Sequence, residues 1–367
     1  MNLLLIICLL WSVAILIQVF YWVLPTWNRS RPSTSSGSDD LKGGVSIVVC
    51  VHLDMQKLER LLKSLFDQSY PLYEIVVVND GPHPDIREYL RRQSNDIRLT
   101  VLEFDANTKT TPGKKAPLAA GIRAAKYDWI LLTDADCVPG PEWISEMMDH
   151  ATPGIEMVLG VAPFFARPGF LNLLQRFDTL LIAIQYIGAT LRGTPFMGVG
   201  RNLLYHRSLF EMMKGFSSHA HLLSGDDDLF VQSAANRNNT SVCMHPSAFV
   251  FSEAPATWTA WMHQKRRHLS ASSAYSVIAK LQTSVFVVSW LLVWIGLPFV
   301  LSSGNFWFNA GIAGVMLLWL LFAFAAHQLL YRQLIPWYPF MAVSYCVMLC
   351  TFAFILTLRP PKSWMRS

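Results

Sequence analysis

Charge is scarce in this 367-residue sequence: Asp, Glu, Lys and Arg make up 15% of it, against roughly a quarter in a soluble domain. The shortage is local. No charged residue occurs between Leu281 and Tyr331, or between Arg332 and Arg359. Runs of that length exceed the ~20 residues a helix needs to cross a bilayer, which excludes a wholly soluble protein. The expected spans are 281–302, 306–329 and 335–358, with another at 3–24. The first segment lacks a basic start and a small-x-small cleavage site, so it reads as a retained anchor and not a signal peptide. Cysteine is scarce too. Six are present with no C-x-x-C pair, which speaks against structural zinc and fits a reducing compartment. Neither G-x-G-x-x-G nor G-x-x-x-x-G-K-[ST] occurs, so a dinucleotide fold and a P-loop are unsupported. The net charge of +5 suits anionic substrates and lipid headgroups. No basic patch interleaved with aromatics marks a nucleic-acid partner.

The chain therefore divides into an anchor at 1–26, a flexible Ser/Gly/Pro-rich linker at 27–43 and a charged domain at 44–275. Membrane segments at 276–360 and a basic tail at 361–367 follow. Within the domain, apolar runs alternate with helical periods. VSIVVCV (45–51), EIVVV (74–78), RLTVLEF (98–104) and the run into Asp134 read as strands. Segments 55–68, 84–94 and 111–126 read as helices. That alternation predicts an α/β fold with a doubly wound, mostly parallel sheet. In such sheets ligands bind at the C-terminal strand edge. His52, Asn79-Asp80 and Asp134-x-Asp136 fall there. Two aspartates one residue apart suit one hard cation, because Mg²⁺ takes one or two carboxylates plus phosphate oxygens. Lys114 and Lys115 follow the same logic and could neutralise a diphosphate.

VSIVVCVHLD, EIVVVNDGP, GKKAPLAAGIRAAKYDWILLTDADCVP, FMGVGRNLLYHRSLF, SGDDDLF and WMHQKRRH occur in that order between about 45 and 268. The series resembles membrane-bound inverting family 2 glycosyltransferases, the group that includes cellulose and hyaluronan synthases and ceramide glucosyltransferase. The resemblance implies an A-type glycosyltransferase fold and a nucleotide-sugar donor, a UDP-sugar by preference. It implies that Asp80 contacts the base, and that Asp134 and Asp136 serve a Mg²⁺ or Mn²⁺ ion at the diphosphate. Gln264 and Arg267 look like the family's Gln-x-x-Arg-Trp motif near the diphosphate. His268 replaces the tryptophan that lies beside the acceptor sugar in polymerising relatives, which weakens a processive reading. Gly198 and Gly200 resemble the acceptor-side strand.

Inversion needs a base to take the acceptor hydroxyl's proton. SGDDDLF offers Asp226 or Asp227, depending on how the motif is aligned. Three adjacent acids repel, so one should titrate high. The expected activity is transfer of one sugar to a lipid or lipid-linked acceptor, with the domain facing the cytoplasm of a bacterial inner membrane. The alternatives are a processive polysaccharide synthase, or a catalytically silent scaffold with a nucleotide-sugar-binding domain. His219, His221 and His245 are isolated and read as structural. The apolar segment 169–191 fits either a membrane surface or the domain core. The tail's Arg359, Lys362 and Arg366 favour the cytoplasmic side, which requires one C-terminal segment not to cross.

Overall fold

The computed structural model describes residues 3–27, 43–81, 83–105, 109 and 111–356. They fall into two compact units. The helical unit holds α1 (Leu3–Trp27), α6 (Phe170–Leu191), α10 (Val277–Leu301), α11 (Asn305–Gln328) and α12 (Tyr338–Leu356). Among the described residues, four helical stretches are long and apolar enough to cross a membrane: Leu3–Thr26, Val277–Leu301, Asn305–Gln328 and Arg332–Phe354. The last opens as a tight 3₁₀ stretch, Arg332–Trp337, containing Pro336, because proline cannot donate to a regular helix. The basic tail and its expected side of the membrane lie outside the described residues.

Side chains of α1 donate to backbone carbonyls of α10. The indole of Trp11 reaches Val293 O at 3.0 Å, the amide of Gln18 reaches Phe286 O at 3.0 Å, and the hydroxyl of Tyr21 reaches Gln282 O at 2.6 Å. Helix α6 belongs to this unit. Its buried Leu174, Phe177, Leu181 and Ile184 form the stripe visible in the sequence. Phe177 stands 5.5 Å from the ring of Phe322 and 5.7 Å from that of Tyr345. The stripe finds its partners among the spans, so the segment 44–275 is interrupted and is not one contiguous domain.

The other unit is built on a sheet with the order β3-β2-β1-β4-β7-β6-β8. Its strands are β1 (Val45–Val51), β2 (Tyr73–Asp80), β3 (Leu99–Phe104), β4 (Trp129–Asp134), β6 (Met157–Leu159), β7 (Leu203–His206) and β8 (Thr240–Val242). Every pairing is parallel except the two made by β7. A separate ribbon joins β5 (Cys137–Pro139) to β9 (Val250–Ser252). Strands β1, β2 and β4 are almost wholly buried, which explains their unbroken Val/Ile/Leu runs. Helix α2 (Met55–Phe66) covers one face with buried Leu58, Leu61, Leu62 and Leu65, and Asp54 caps it by accepting from Lys57 N–H at 3.1 Å. Helix α4 (Lys115–Ala124) lies so close to the sheet that a Cβ on Gly121 would stand 2.6 Å from Val48. The remaining helices are α3 (Pro84–Gln93), α5 (Trp143–Asp149), α7 (Arg207–Met212), α8 (Asp228–Ala234) and α9 (Trp258–Ala271). Strand order reverses at β1, which has β2 on one side and β4 on the other. That is the topological switch point where open α/β sheets place their ligands.

Candidate active site

The sheet register sets the first carboxylates. Cys50 of β1 pairs with Asp134 on one side, and Val51 pairs with Asn79 on the other. Asp80 and Asp134 therefore flank the end of β1. Asp80 is 1% exposed, and Lys109 donates to both of its oxygens at 2.9 and 2.7 Å. Asn79 donates to Glu103 of β3 at 3.0 Å. Asp136, half-buried in the turn between β4 and β5, accepts from the Cys137 thiol at 3.7 Å.

Lys114 joins this edge to the acidic loop. Its Nζ lies 2.8 Å from Asp134 and 3.0 Å from Asp226. Burial alone would push the Asp226 carboxyl up. Lys114, and then Lys115, outweigh that and hold it below the ordinary carboxylate range, while Asp134 works against them. Asp227 differs. It accepts from Gly200 N–H at 2.9 Å and from Asp228 N–H at 2.9 Å, capping α8. Burial, and then the neighbouring Asp226 charge, push its carboxyl above the ordinary range. The sequence left Asp226 and Asp227 interchangeable; the fold points one toward Lys114 and the other into the β7 side.

Lys115 departs from the sequence expectation. Its side chain is 2% exposed, and Nζ donates to Leu222 O at 2.5 Å and Ser224 O at 2.6 Å. It therefore holds the loop before Asp226 and is not positioned as a phosphate ligand. Gly113, at φ +79°, makes the approach possible: a Cβ there would stand 2.5 Å from Leu223 O. His219 lies in the same layer, its imidazole lowered to about 4 by burial and then by Lys115, so it is neutral near pH 7.

The third wall is mixed. Arg201 donates to Ala162 O at 3.0 Å and to Ser252 Oγ, and it lies 4.7 Å over the Phe164 ring. Asn202 is fully buried. It accepts from the Trp143 indole at 2.9 Å and donates to Val161 O and Ala248 O. Gly198 lets this segment pack: a Cβ would stand 3.1 Å from both Leu159 and Val231. Helix α9, capped by Thr257, carries Gln264, Arg267 and His268 on one face. Arg267 contacts the imidazole of His268 at 3.1 Å, and Arg201 and Lys114 both act on that imidazole electrostatically. Lys109 was not singled out from sequence, Arg201 and Asn202 entered only through the FMGVGRNLLYHRSLF motif, and Lys115 was expected at a diphosphate and not under the acid loop. The adjacent lysines of G-K-K were a signal for Lys115; nothing in the pattern marked Asn202 as a core partner of Trp143.

Among the described residues no three His, Cys, Asp or Glu side chains cluster to hold a metal. Burial, and then the charges of Asp136 and Asp134, push the Cys137 thiol far up, so it is no thiolate ligand. What the edge does offer is oxygen: the carboxylates of Asp136 and Asp134, one residue apart. This donor set fits Mg²⁺ or Mn²⁺ completed by diphosphate oxygens and water.

The profile of the glycosyltransferase like family 2 matches residues 43–271. An uncharacterized glycosyltransferase of Bacillus subtilis, YkcC, is 34% identical over 120 residues, 32% of this chain and 36% of that protein. The poly-β-1,6-N-acetyl-D-glucosamine synthase of Staphylococcus epidermidis is 24% identical over 123 residues, 33% of this chain and 28% of that one. A hyaluronan synthase of Pasteurella multocida is 32% identical over 105 residues, covering 28% of this chain and 10% of that one. The chain thus spans about a third or less of these relatives. Among solved structures, the mannosyltransferase PcManGT of Pyrobaculum calidifontis, in complex with GDP-Man and Mn²⁺, matches with a TM-score of 0.56. The match covers 94% of this chain and 99% of that chain at 16% identity, a likeness of fold.

Proposed function

We propose, from the premise that the chain belongs to the glycosyltransferase like family 2, that this glycosyltransferase moves one sugar, with inversion, from a UDP-sugar to a lipid or lipid-linked acceptor. The observation that carries the reading is the bridge of Lys114 between Asp134 and Asp226. It joins the cation-binding edge and the acid loop in one site, as a single-displacement transfer requires.

In this reading Asp80 faces the nucleoside. Asp136, with Asp134, would hold Mg²⁺ or Mn²⁺. The cation would neutralise charge on the departing diphosphate. Lys114, Gln264 and Arg267 add donors to the same phosphates. Asp226 takes the acceptor hydroxyl's proton as its oxygen attacks the anomeric carbon opposite the leaving diphosphate. Its ion pair with Lys114 keeps it ionised and ready. Asp227, held by Gly200, positions the loop. His268, Gly198 and Gly200 line the acceptor side.

The four span-length helices motivate a lipid acceptor, since a soluble one needs no membrane. Arg29, Arg31 and Lys42 after the first span support a cytoplasmic catalytic unit through the positive-inside rule, on the side where nucleotide sugars are found. Nucleotide diphosphate release from a panel of UDP- and GDP-sugars, with and without EDTA, tests the reading. Release from a UDP-sugar that EDTA and Asp136→Asn both abolish is the expected result. Full release in chelator removes the metal assignment, and no release from any donor removes the transferase mechanism.

A further inference from the structure

Arg176 of α6 is 4% exposed. Its Nε is buried without a hydrogen-bond partner. Its guanidinium lies 5.4 Å over the Tyr331 ring, and no carboxylate among the described residues acts on it. The charge is permanent at biological pH, and burying it without a countercharge is costly. The buried Lys115 of the sheet unit, by contrast, has two carbonyls and three nearby aspartates.

The position of Arg176 within the bundle indicates what is missing. Tyr331 lies in the turn between α11 and α12, which Leu330 enters at φ +60°. Gln328, just before that turn, donates to Thr26 O at the end of α1 at 3.0 Å. Tyr21 and Gln282 bring the start of α10 to the same end. Arg176 therefore sits where spans begin and finish, at the depth of lipid headgroups. Exposed Arg332 and Trp337 on the adjoining turn are the residue types that mark a membrane–water interface.

We propose that Arg176 binds the phosphate of a membrane lipid, its N–H fork meeting two phosphate oxygens while Tyr331 backs the guanidinium. The proposal deepens the transferase reading, on which its catalytic meaning rests: the acceptor is a lipid that carries phosphate. A neutral lipid such as diacylglycerol leaves the arginine bare.

The test uses the full-length protein, delipidated in dodecyl maltoside. Binding is followed by native mass spectrometry and melting temperature with dilauroyl phosphatidic acid, a polyprenyl phosphate, dilauroylglycerol and inorganic phosphate. Both phosphate lipids should bind and raise the melting temperature, about tenfold more weakly in Arg176→Gln. Arg176→Lys, which keeps the charge without the fork, should fall between and serves if the glutamine variant does not fold. Equal binding by wild type and both variants, or inorganic phosphate binding as tightly as the lipids, overturns the proposal. Faster nucleotide release with the polyprenyl phosphate alone supports the site, assigns it to the acceptor and makes a phosphate oxygen, in place of a hydroxyl, the attacking atom. Unchanged release with binding intact overturns the acceptor assignment and leaves Arg176 a bulk-lipid site. Donor hydrolysis without acceptor tests the transferase reading separately, so the two ideas fail independently.

Discussion

Strands β1, β2 and β4 present Asp80 and Asp134 from the ends of a regular parallel ladder. The β7-β6-β8 side has no such ladder, and its acids reach the site on a loop. There Lys115 holds Leu222 and Ser224 by their carbonyls, and Asp227 is clasped by the Gly200 amide. One side is positioned by strand register, the other by side chains bonded to backbone. Register survives the loss of a side chain at the strand end, whereas a pinned loop depends on every pin. Substitutions on the first side should thus alter chemistry or binding alone, and those on the second should alter geometry as well.

The largest effect tests the two acids against each other. Asp226→Asn should lower kcat by ~10²–10⁴ with donor affinity kept, and Asp227→Asn should also lower the melting temperature, because it weakens the α8 cap and the Gly200 contact. The pH profile of kcat separates them. A base held below the ordinary carboxylate range stays ionised as pH falls, so an Asp226 limb lies below that range. An Asp227 limb would lie above it, since that carboxyl is pushed up. A limb above the range removes Asp226 as the base.

Next in size is Asn202→Ala, which strands the Trp143 indole and two carbonyls. At ~1–3 kcal/mol for each unmet buried group, a loss of about 3 kcal/mol or more is expected in denaturant titration. A loss below about 1 kcal/mol would show that the wall does not depend on this residue. Lys115→Met should cost roughly ten- to a hundredfold in kcat through misplacement of the loop, with donor KM little changed. A KM effect without a kcat effect would return Lys115 to the diphosphate. The smallest change belongs to Glu88→Gln. The Glu88 pairs with Arg91 and Arg92 lie in solvent, and such surface pairs contribute little, so the melting temperature should not move measurably.

The same contrast explains what the sequence revealed. Val45–Val51, Tyr73–Asp80 and Trp129–Asp134 were legible because strands buried on both faces must be apolar throughout, and such a run ending in aspartate shows itself. Motif order marked Asp136, Asp134, Lys114 and Asp226, and the fold brings Asp134, Lys114 and Asp226 together. The roles of Asp226 and Asp227 were not, because adjacent residues separate only once a backbone turns one inward. Strands β6, β8 and β9 span three residues each, too short for any period to show. Helix α6 carries Arg176 and Asp178, and its destination depends on partners more than a hundred residues away.

The excursion of α6 also bears on how the chain is made. Strands β1 to β4 are complete once Asp134 has been synthesised, but β7, β8 and β9 come after α6 in the chain. The helical unit takes its second segment before the sheet can receive its last strands. The β4 edge therefore stays unpaired until β7, which follows α6 in the chain, has been made. An unpaired edge invites wrong partners, so failure to place α6 should surface as aggregation of the sheet and not as loss of the anchor.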